Sequence, residues 1–293
     1  MRQLVCSALL AWLPSDPASR GGDMACVGYC IGGAALTTWM AWANAHFAKK
    51  DVPVESVTLL TTLVDYHKPG DIEVFLDEGS FKWLEKSMAE KGYLDGKEMA
   101  SAFRLLRSNS LVWHYVVRGY LFGEAPPAFD VLFWNMDTTR MPYAMHAWYL
   151  RELYLNNRLI DKDALTVAGE PIDLSRITQP VYAVGAEDDH IAPWRQAFKT
   201  LNHVSGPKRF VLSSSGHILG IVNPPVDPPK RRFWVGPARR TDTAEGWQGG
   251  AVDSYIPPPP LGHNDPWPYR TVTCSLPVPA RNHTWGSLKS LYH

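Results

Sequence analysis

Ala25-Cys26-Val27-Gly28-Tyr29-Cys30-Ile31-Gly32-Gly33 is the stretch that decides the fold. An apolar run enters Gly-x-Cys-x-Gly, and a small-residue, helix-forming run follows it. This is the form of a nucleophile elbow, in which a strand ends, the chain turns sharply and the nucleophile heads the next helix. Gly28 and Gly32 flank Cys30 because such a turn is strained and leaves no room for neighbouring Cβ atoms. A helix N-terminus beneath a cysteine favours a thiolate. The same residues also fit a buried cysteine in a glycine-rich turn, and the rest of the chain has to separate the two readings.

Around this stretch the pattern is strand, helix, strand. Met24–Gly28 reads as a short buried strand. Ile31 to Lys49 reads as a helix, with Leu36, Trp39, Met40 and Ala43 at helical spacing. Val57–Val64 reads as a strand covered on both faces, as parallel strands are. Strand-like order returns at Pro180–Gly185, which runs into the acidic loop Ala186-Glu187-Asp188-Asp189-His190. Pro193 then opens a helix through Phe198 and Leu201. Arg209–Leu212 is a further strand, and Ser213-Ser214-Ser215-Gly216-His217 leaves its end.

Cys30, Asp189 and His217 thus each stand just past a predicted strand, where open α/β sheets bind their ligands. Their order is nucleophile, acid, histidine, the order of α/β hydrolases. The expected fold is α/β, with a mostly parallel, α/β-hydrolase-like sheet whose core comes from 23–65 and 166–250. Ile31, directly after the nucleophile, offers its backbone N–H to an oxyanion hole. Other readings stay open for each residue. Asp189 has Glu187 and Asp188 beside it, so the acid is open to a one-residue shift or to a solvated acidic turn. His217 alone also fits a surface histidine. His190 reads as structural or as a support to the site. Tyr29 either shapes the site or fills the core, and Cys26 reads as an inert buried thiol.

Residues 66–165 behave differently. Helical patterns at Ile72–Phe75 and Phe81–Glu90 precede a helix from Asp95 through Phe103 and Leu106. A dense set of aromatics follows, including Trp113, Tyr120, Phe133, Trp134, Tyr149 and Tyr154. This segment reads as a largely helical aromatic cap inserted over the sheet. The alternative is an ordinary helical subdomain that packs its aromatics into its own core.

The 293-residue chain is 45% hydrophobic with formal net charge zero, enough for one large domain or two modest ones. A neutral balance gives no electrostatic case for nucleic acid or an anionic membrane surface. Twelve Trp, twelve Tyr and ten Phe suit a deep core, an apolar tunnel or a large interface. Cys6, Cys26, Cys30 and Cys274 form no CxxC pair, so no metal site is expected. So few cysteines fit a reducing cytoplasm. Leu4 to Leu13 follows one Arg, with no Ala-x-Ala after it, and reads as a non-secreted start rather than a signal peptide. No run reaches the roughly 18 apolar residues of a membrane span. Beyond Pro224 prolines crowd the chain, and Lys230, Arg231, Arg232, Arg239 and Arg240 form a basic cluster. Residues 251–293 are expected to be irregular, as 1–22 are unmatched to any element.

With the three residues in order, a dozen blocks resemble polyhydroxyalkanoate synthases. They include Gly28-Tyr-Cys-Ile-Gly-Gly33, the lipase-like box, and Ser56 through Asp65. Val74-Phe-Leu-Asp-Glu-Gly79, Asn109-Ser-Leu-Val-Trp113, Phe129 through Asn135 and Trp148-Tyr-Leu-Arg151 follow. The later ones are Glu187-Asp-Asp-His-Ile191, Pro193-Trp194, Ser215-Gly-His-Ile218 and Val222-Asn-Pro-Pro225. The match is dense from 25 to 235 and looks most like the single-subunit, short-chain class. Trp134 and Asn135 lie in one of these blocks and read as core packing.

The resemblance implies an acyltransferase that polymerises (R)-3-hydroxyacyl-CoA into storage polyester and releases CoA. Cys30 would carry the acyl group and the growing chain as a thioester. His217 would take the thiol proton. Asp189 would orient His217, or help it activate the hydroxyl of the incoming monomer. No organic cofactor or metal is implied. Partners would be the acyl-CoA, the growing polyester, the granule surface and a second copy in a homodimer, in the cytoplasm. A thioesterase or polyester hydrolase on the same three residues is the competing enzyme, and a catalytically impaired fragment the non-enzymatic alternative. That last expectation comes from the ends. The family carries several strands before its elbow, and residues 1–22 match none of them. A fragmentary or frame-shifted product, lacking the N-terminal strands of the sheet, would be poorly soluble and weakly active.

Overall fold

A computed structural model describes residues 24–48, 52–106, 108–125, 140–222 and 231–253. Strand β1 (Ala25–Tyr29) leads through Cys30 into helix α1 (Ile31–His46) and on to β2 (Ser56–Leu60). After β2 come a 3₁₀ turn (Asp71–Phe75), α2 (Glu78–Lys91), β3 (Tyr93–Leu94) and α3 (Gly96–Leu106). Two π-helical turns, Asn109–Trp113 and Val117–Leu121, then flank a short α-helical one. β4 (Met141–Pro142) pairs with β3, and α4 (Tyr143–Tyr149) runs on into a π-helical turn (Leu150–Leu155). β5 (Thr166–Val167) and β6 (Glu170–Pro171) form a small ladder. The main sheet resumes with β7 (Val181–Ala186), α5 (Trp194–His203), β8 (Lys208–Ser213), β9 (Arg232–Pro237) and β10 (Gly250–Asp253).

That sheet has six strands in the order β1-β2-β7-β8-β9-β10. Its first four are parallel, in register Tyr29↔Leu60, Leu60↔Val184 and Ala186↔Ser213. β9 and β10 join antiparallel. Parallel neighbours connected by long crossovers bring the carboxyl ends of β1, β2, β7 and β8 to one edge. The fold is α/β, α/β-hydrolase-like, with a mostly parallel central sheet. No described residue between β2 and β7 joins it, so the aromatic segment lies outside the sheet's ladder. β1 has one neighbour among the described residues.

Burial explains why these strands form. Cys26, Val57, Leu59, Val181, Ala183 and Phe210 come from the sheet, and Leu36, Met40, Ala41 and Ala43 from α1. Phe198 and Leu201 add α5, each fully buried. Side chains of this size contribute about 2 kcal/mol apiece on burial. Phe210 meets both Phe198 and Trp247 edge-on at 5.0 Å, the geometry that the ring quadrupole favours.

Two boundaries differ from the sequence expectation. The strand expected over Val57–Val64 ends at Leu60, because Thr61 turns into the left-handed region (φ 44). Thr61 to Val64 stay buried as a loop; their apolar character reports burial, not extended backbone. The helix expected to Lys49 ends at His46. β9 carries only the short run Phe233-Trp234-Val235 between Arg232 and Gly236-Pro237, and β10 is the four residues Gly250–Asp253, which places 251–253, expected to be irregular, in the sheet; strands at a sheet margin tolerate such residues. Trp134, Asn135, Lys230, Cys6, Cys274 and residues 1–22 lie outside the described residues.

Candidate active site

The elbow is built by close packing at glycine. A Cβ on Gly28 would lie 2.5 Å from Gly33 Cα, and one on Gly33 would lie 1.8 Å from Thr62 Oγ1. Only hydrogen at both positions lets the end of β1, the start of α1 and the loop after β2 meet. Cys30 stands between them at φ 53 and ψ −124, outside the regions ordinary side chains prefer. Its own N–H donates to the Leu60 carbonyl at 2.9 Å, which ties the strained residue to β2. Its thiol is half-buried. Ile31 opens α1, so its N–H belongs to the first turn, whose amides find no acceptor inside a helix.

Asp189 and His217 come together although 28 residues separate them. Asp189 Oδ2 lies 2.7 Å from His217 Nδ1. Asp189 Oδ1 accepts the N–H groups of Ile191 at 2.9 Å and Ala192 at 2.8 Å. The carboxylate is acceptor-only, which assigns the proton to Nδ1 and leaves Nε2 for other partners. Glu187 and Asp188 are exposed while Asp189 is buried, so the acid that meets the histidine is Asp189. The Cys30 side chain lies close enough to His217 to act on its charge. Burial opposes charge on His217, but a Cys30 thiolate and the Asp189 carboxylate outweigh it and push the imidazole up to about 10. A proton on His217 is therefore favoured well above the usual imidazole range.

Of the two readings open for Tyr29, the geometry favours shaping the site, whereas the grouping of Tyr66, Tyr149 and Tyr154 escaped the sequence reading. Tyr29 donates its hydroxyl to the His217 main-chain carbonyl at 2.8 Å, and the two rings lie 5.2 Å apart. Burial, and then the charges of Cys30 and Asp189, raise the Tyr29 phenol. Tyr66, Tyr149 and Tyr154 pack against one another with ring centroids 4.6 to 6.3 Å apart. Burial raises each of these phenols, and a thiolate at Cys30 raises them further. They are therefore neutral hydroxyls within electrostatic reach of the sulfur, drawn from the loop after β2 and from the aromatic segment. Aromatic content alone signalled that segment; no spacing rule pairs residues this far apart in the chain.

Cys26 is buried on β1, and burial pushes its thiol up. His190 contributes its carbonyl to the N–H of Asp71 at 3.1 Å. Among the described residues no three of His, Cys, Asp and Glu come together as a metal site, and no helix is long and apolar enough to cross a membrane.

No family model matches the chain. It is 43% identical over 228 residues to the poly(3-hydroxyalkanoate) polymerase subunit PhaC of Rhizobium meliloti (strain 1021), covering 78% of this chain and 36% of that protein. It is 42% identical over 272 residues to the poly(3-hydroxyalkanoate) polymerase of Methylorubrum extorquens, covering 92% and 43%. The PhaC subunit of Cupriavidus necator is 41% identical over 234 residues, covering 78% and 39%. The chain thus spans less than half the length of these relatives. Among solved structures, mouse alpha/beta hydrolase domain-containing protein 10 superposes with TM-score 0.32 at 16% identity, over 69% of this chain and 56% of that one. Alpha/beta hydrolase GrgF from Penicillium sp. sh18 gives 0.32 at 18%, over 72% and 61%. The fold assignment itself rests on the strand order and the elbow.

Proposed function

We propose that this chain, which over most of its length belongs to the poly(3-hydroxyalkanoate) polymerase family, carries the acyl-transfer site of a polyester synthase. The substrate is an (R)-3-hydroxyacyl-CoA and the product a polyester. The observation that carries this reading is a cysteine held at the elbow (φ 53) beside His217, whose Nδ1 is 2.7 Å from Asp189.

In the proposed cycle the Cys30 sulfur attacks the thioester carbonyl carbon, while its proton resides on His217 Nε2. Charge builds on the carbonyl oxygen, and the N–H of Ile31 stabilises it there. The carbon–sulfur bond to CoA breaks, and His217 returns the proton to the leaving thiolate. For chain growth, His217 takes the proton of a 3-hydroxyl, and that oxygen attacks the acyl carbon of a thioester. An ester bond forms, and the departing sulfur recovers the proton. Asp189 acts throughout by holding Nδ1–H, so that Nε2 stays the acceptor. Thioester-to-thioester exchange is nearly balanced, which suits a carrier that hands chains on. Residues 66–165 serve as a cap that excludes water, because hydrolysis is the competing reaction.

Trp113, Tyr120 and Phe122 are 57%, 90% and 70% exposed. They supply an apolar surface for contact with a polyester granule in the cytoplasm.

The test is to supply (R)-3-hydroxybutyryl-CoA to the purified chain and to a Cys30→Ala variant, follow free CoA and extract the product. Polymer with Cys30-dependent CoA release is the expected result. Free hydroxy acid would make the site a hydrolase instead, and no CoA release would overturn the reading.

A further inference from the structure

We propose that Tyr29 is a positioning residue, whose hydroxyl ties the His217 loop directly to the strand that presents Cys30. The inference rests on the pairing of Cys30 with His217 described above. Cys30 and His217 reach one another through the sheet only by way of β2, β7 and β8. Small shifts in each strand would accumulate between sulfur and imidazole. Tyr29 bypasses that route, since it immediately precedes Cys30 and bonds the His217 carbonyl at 2.8 Å.

The loop needs such a restraint. Ser215 is held at φ 95, a conformation that is strained for a non-glycine residue and persists only when its surroundings impose it. Ser214 N–H donates to the Arg232 carbonyl at 2.8 Å, and the Ser215 carbonyl accepts Asp188 N–H at 2.9 Å. These bonds run to the β9 and β7 side. The bond at His217 itself runs to Tyr29 on β1. The imidazole is then held from two directions, by Asp189 at Nδ1 and by the Tyr29 ring 5.2 Å from its centroid. A phenylalanine at this position would keep the ring contact and lose the tie.

The experiment is the pH dependence of Cys30 alkylation by iodoacetamide, followed by peptide mass spectrometry, in the unmutated chain and in Tyr29→Phe. The groups bearing on the pair are Asp189 and the phenols of Tyr29, Tyr66, Tyr149 and Tyr154. At about pH 6.5, where a thiol relies on the histidine for its charge, the variant is expected to react about five- to tenfold more slowly, the worth of one hydrogen bond. At about pH 10, where a thiol ionises unaided, the rates should coincide. Superimposable curves would overturn the assignment. So would an equal fall at both pH values, which reports access, or loss of cooperative unfolding, which would make the hydroxyl a core support. If Cys30 of the unmutated chain behaves as an isolated thiol, the pairing itself fails and Tyr29 with it. Absence of polyester synthesis leaves the profile intact, so the two readings fail separately.

Discussion

The side chain of Asn157 bonds Asp65 and its neighbour at once: Asn157 Nδ2 donates to the buried Asp65 carboxylate at 2.9 Å, and its Oδ1 accepts Tyr66 N–H at 2.8 Å. Lys199 of α5 approaches the same carboxylate at 3.4 Å. Asn157, two residues past the helical turn that ends at Leu155, is thereby joined to the loop after β2 and, through Asp65, to the helix after Asp189. Burial opposes the charge on Asp65, but the His67 N–H, Asn157 and Lys199 outweigh it and hold the carboxyl below its ordinary range. The joint also sets Tyr66 and Tyr154 beside each other near Cys30.

Asn157 itself sits at φ 49, where asparagine and glycine are tolerated best. Asn157→Ala should therefore cost about 2–4 kcal/mol, from two lost hydrogen bonds and the left-handed backbone. Asn157→Gly should recover about 1 kcal/mol of that, because glycine accepts the backbone but not the bonds. Urea midpoints of the two variants check both values, and equal losses would show that backbone strain plays no part.

Gly33→Ala should prevent the elbow from closing, since the new Cβ would lie 1.8 Å from Thr62 Oγ1 and 2.7 Å from Thr62 Cβ. A loss above about 3 kcal/mol is expected, as for overpacking against backbone-anchored atoms. Combining it with Thr62→Gly should restore part of the loss. A double-mutant cycle by thermal unfolding measures that coupling, and strict additivity would place the clash elsewhere.

Asp189→Asn should leave the fold intact and disable the histidine. The amide oxygen can keep accepting from Ile191 and Ala192, now made by Oδ1. Its NH₂ then faces His217 Nδ1, which must become an acceptor, so the proton moves to Nε2 and Cys30 loses its base. Acylation of Cys30 by (R)-3-hydroxybutyryl-CoA, read by intact-mass spectrometry, should slow by about 10³–10⁴. A change below tenfold would mean that the tautomer is set by another group.

His146 is buried, and burial pushes its imidazole down to about 4. Between about pH 6.5 and pH 4 the unfolded chain binds a proton that the folded chain refuses. Stability is therefore lost as pH falls through that window, by about 3 kcal/mol in all. His146→Leu should flatten this part of the curve of denaturation midpoint against pH, while the unmutated chain shows the acid decline.

Much of this site was legible in the sequence because its signals are local. Gly28, Cys30, Ile31 and Gly32 declare a turn by steric necessity, and apolar runs before Asp189 and His217 mark strands that end where those residues begin. Chain order then suggested the grouping of the three. The sequence pointed to Asp189 but left a one-residue shift or a solvated turn open, because burial beside His217 is what separates Asp189 from the exposed Glu187 and Asp188. Nor could it end β2 at Leu60, since Thr61 to Val64 continue the strand's β-branched and apolar composition and are buried for another reason. β9 and β10 were hidden because their apolar stretches are short and their place comes from successive pairing, β9 on β8 and β10 on β9. The contacts of Tyr29 with His217, Asn157 with Asp65 and Tyr66 with Tyr154 depend on elements distant in the chain, and only the folded sheet and the segment packed beside it bring them into reach. Local sterics and periodicity are written residue by residue, whereas which hydroxyl meets which carbonyl is decided when the strands take their register.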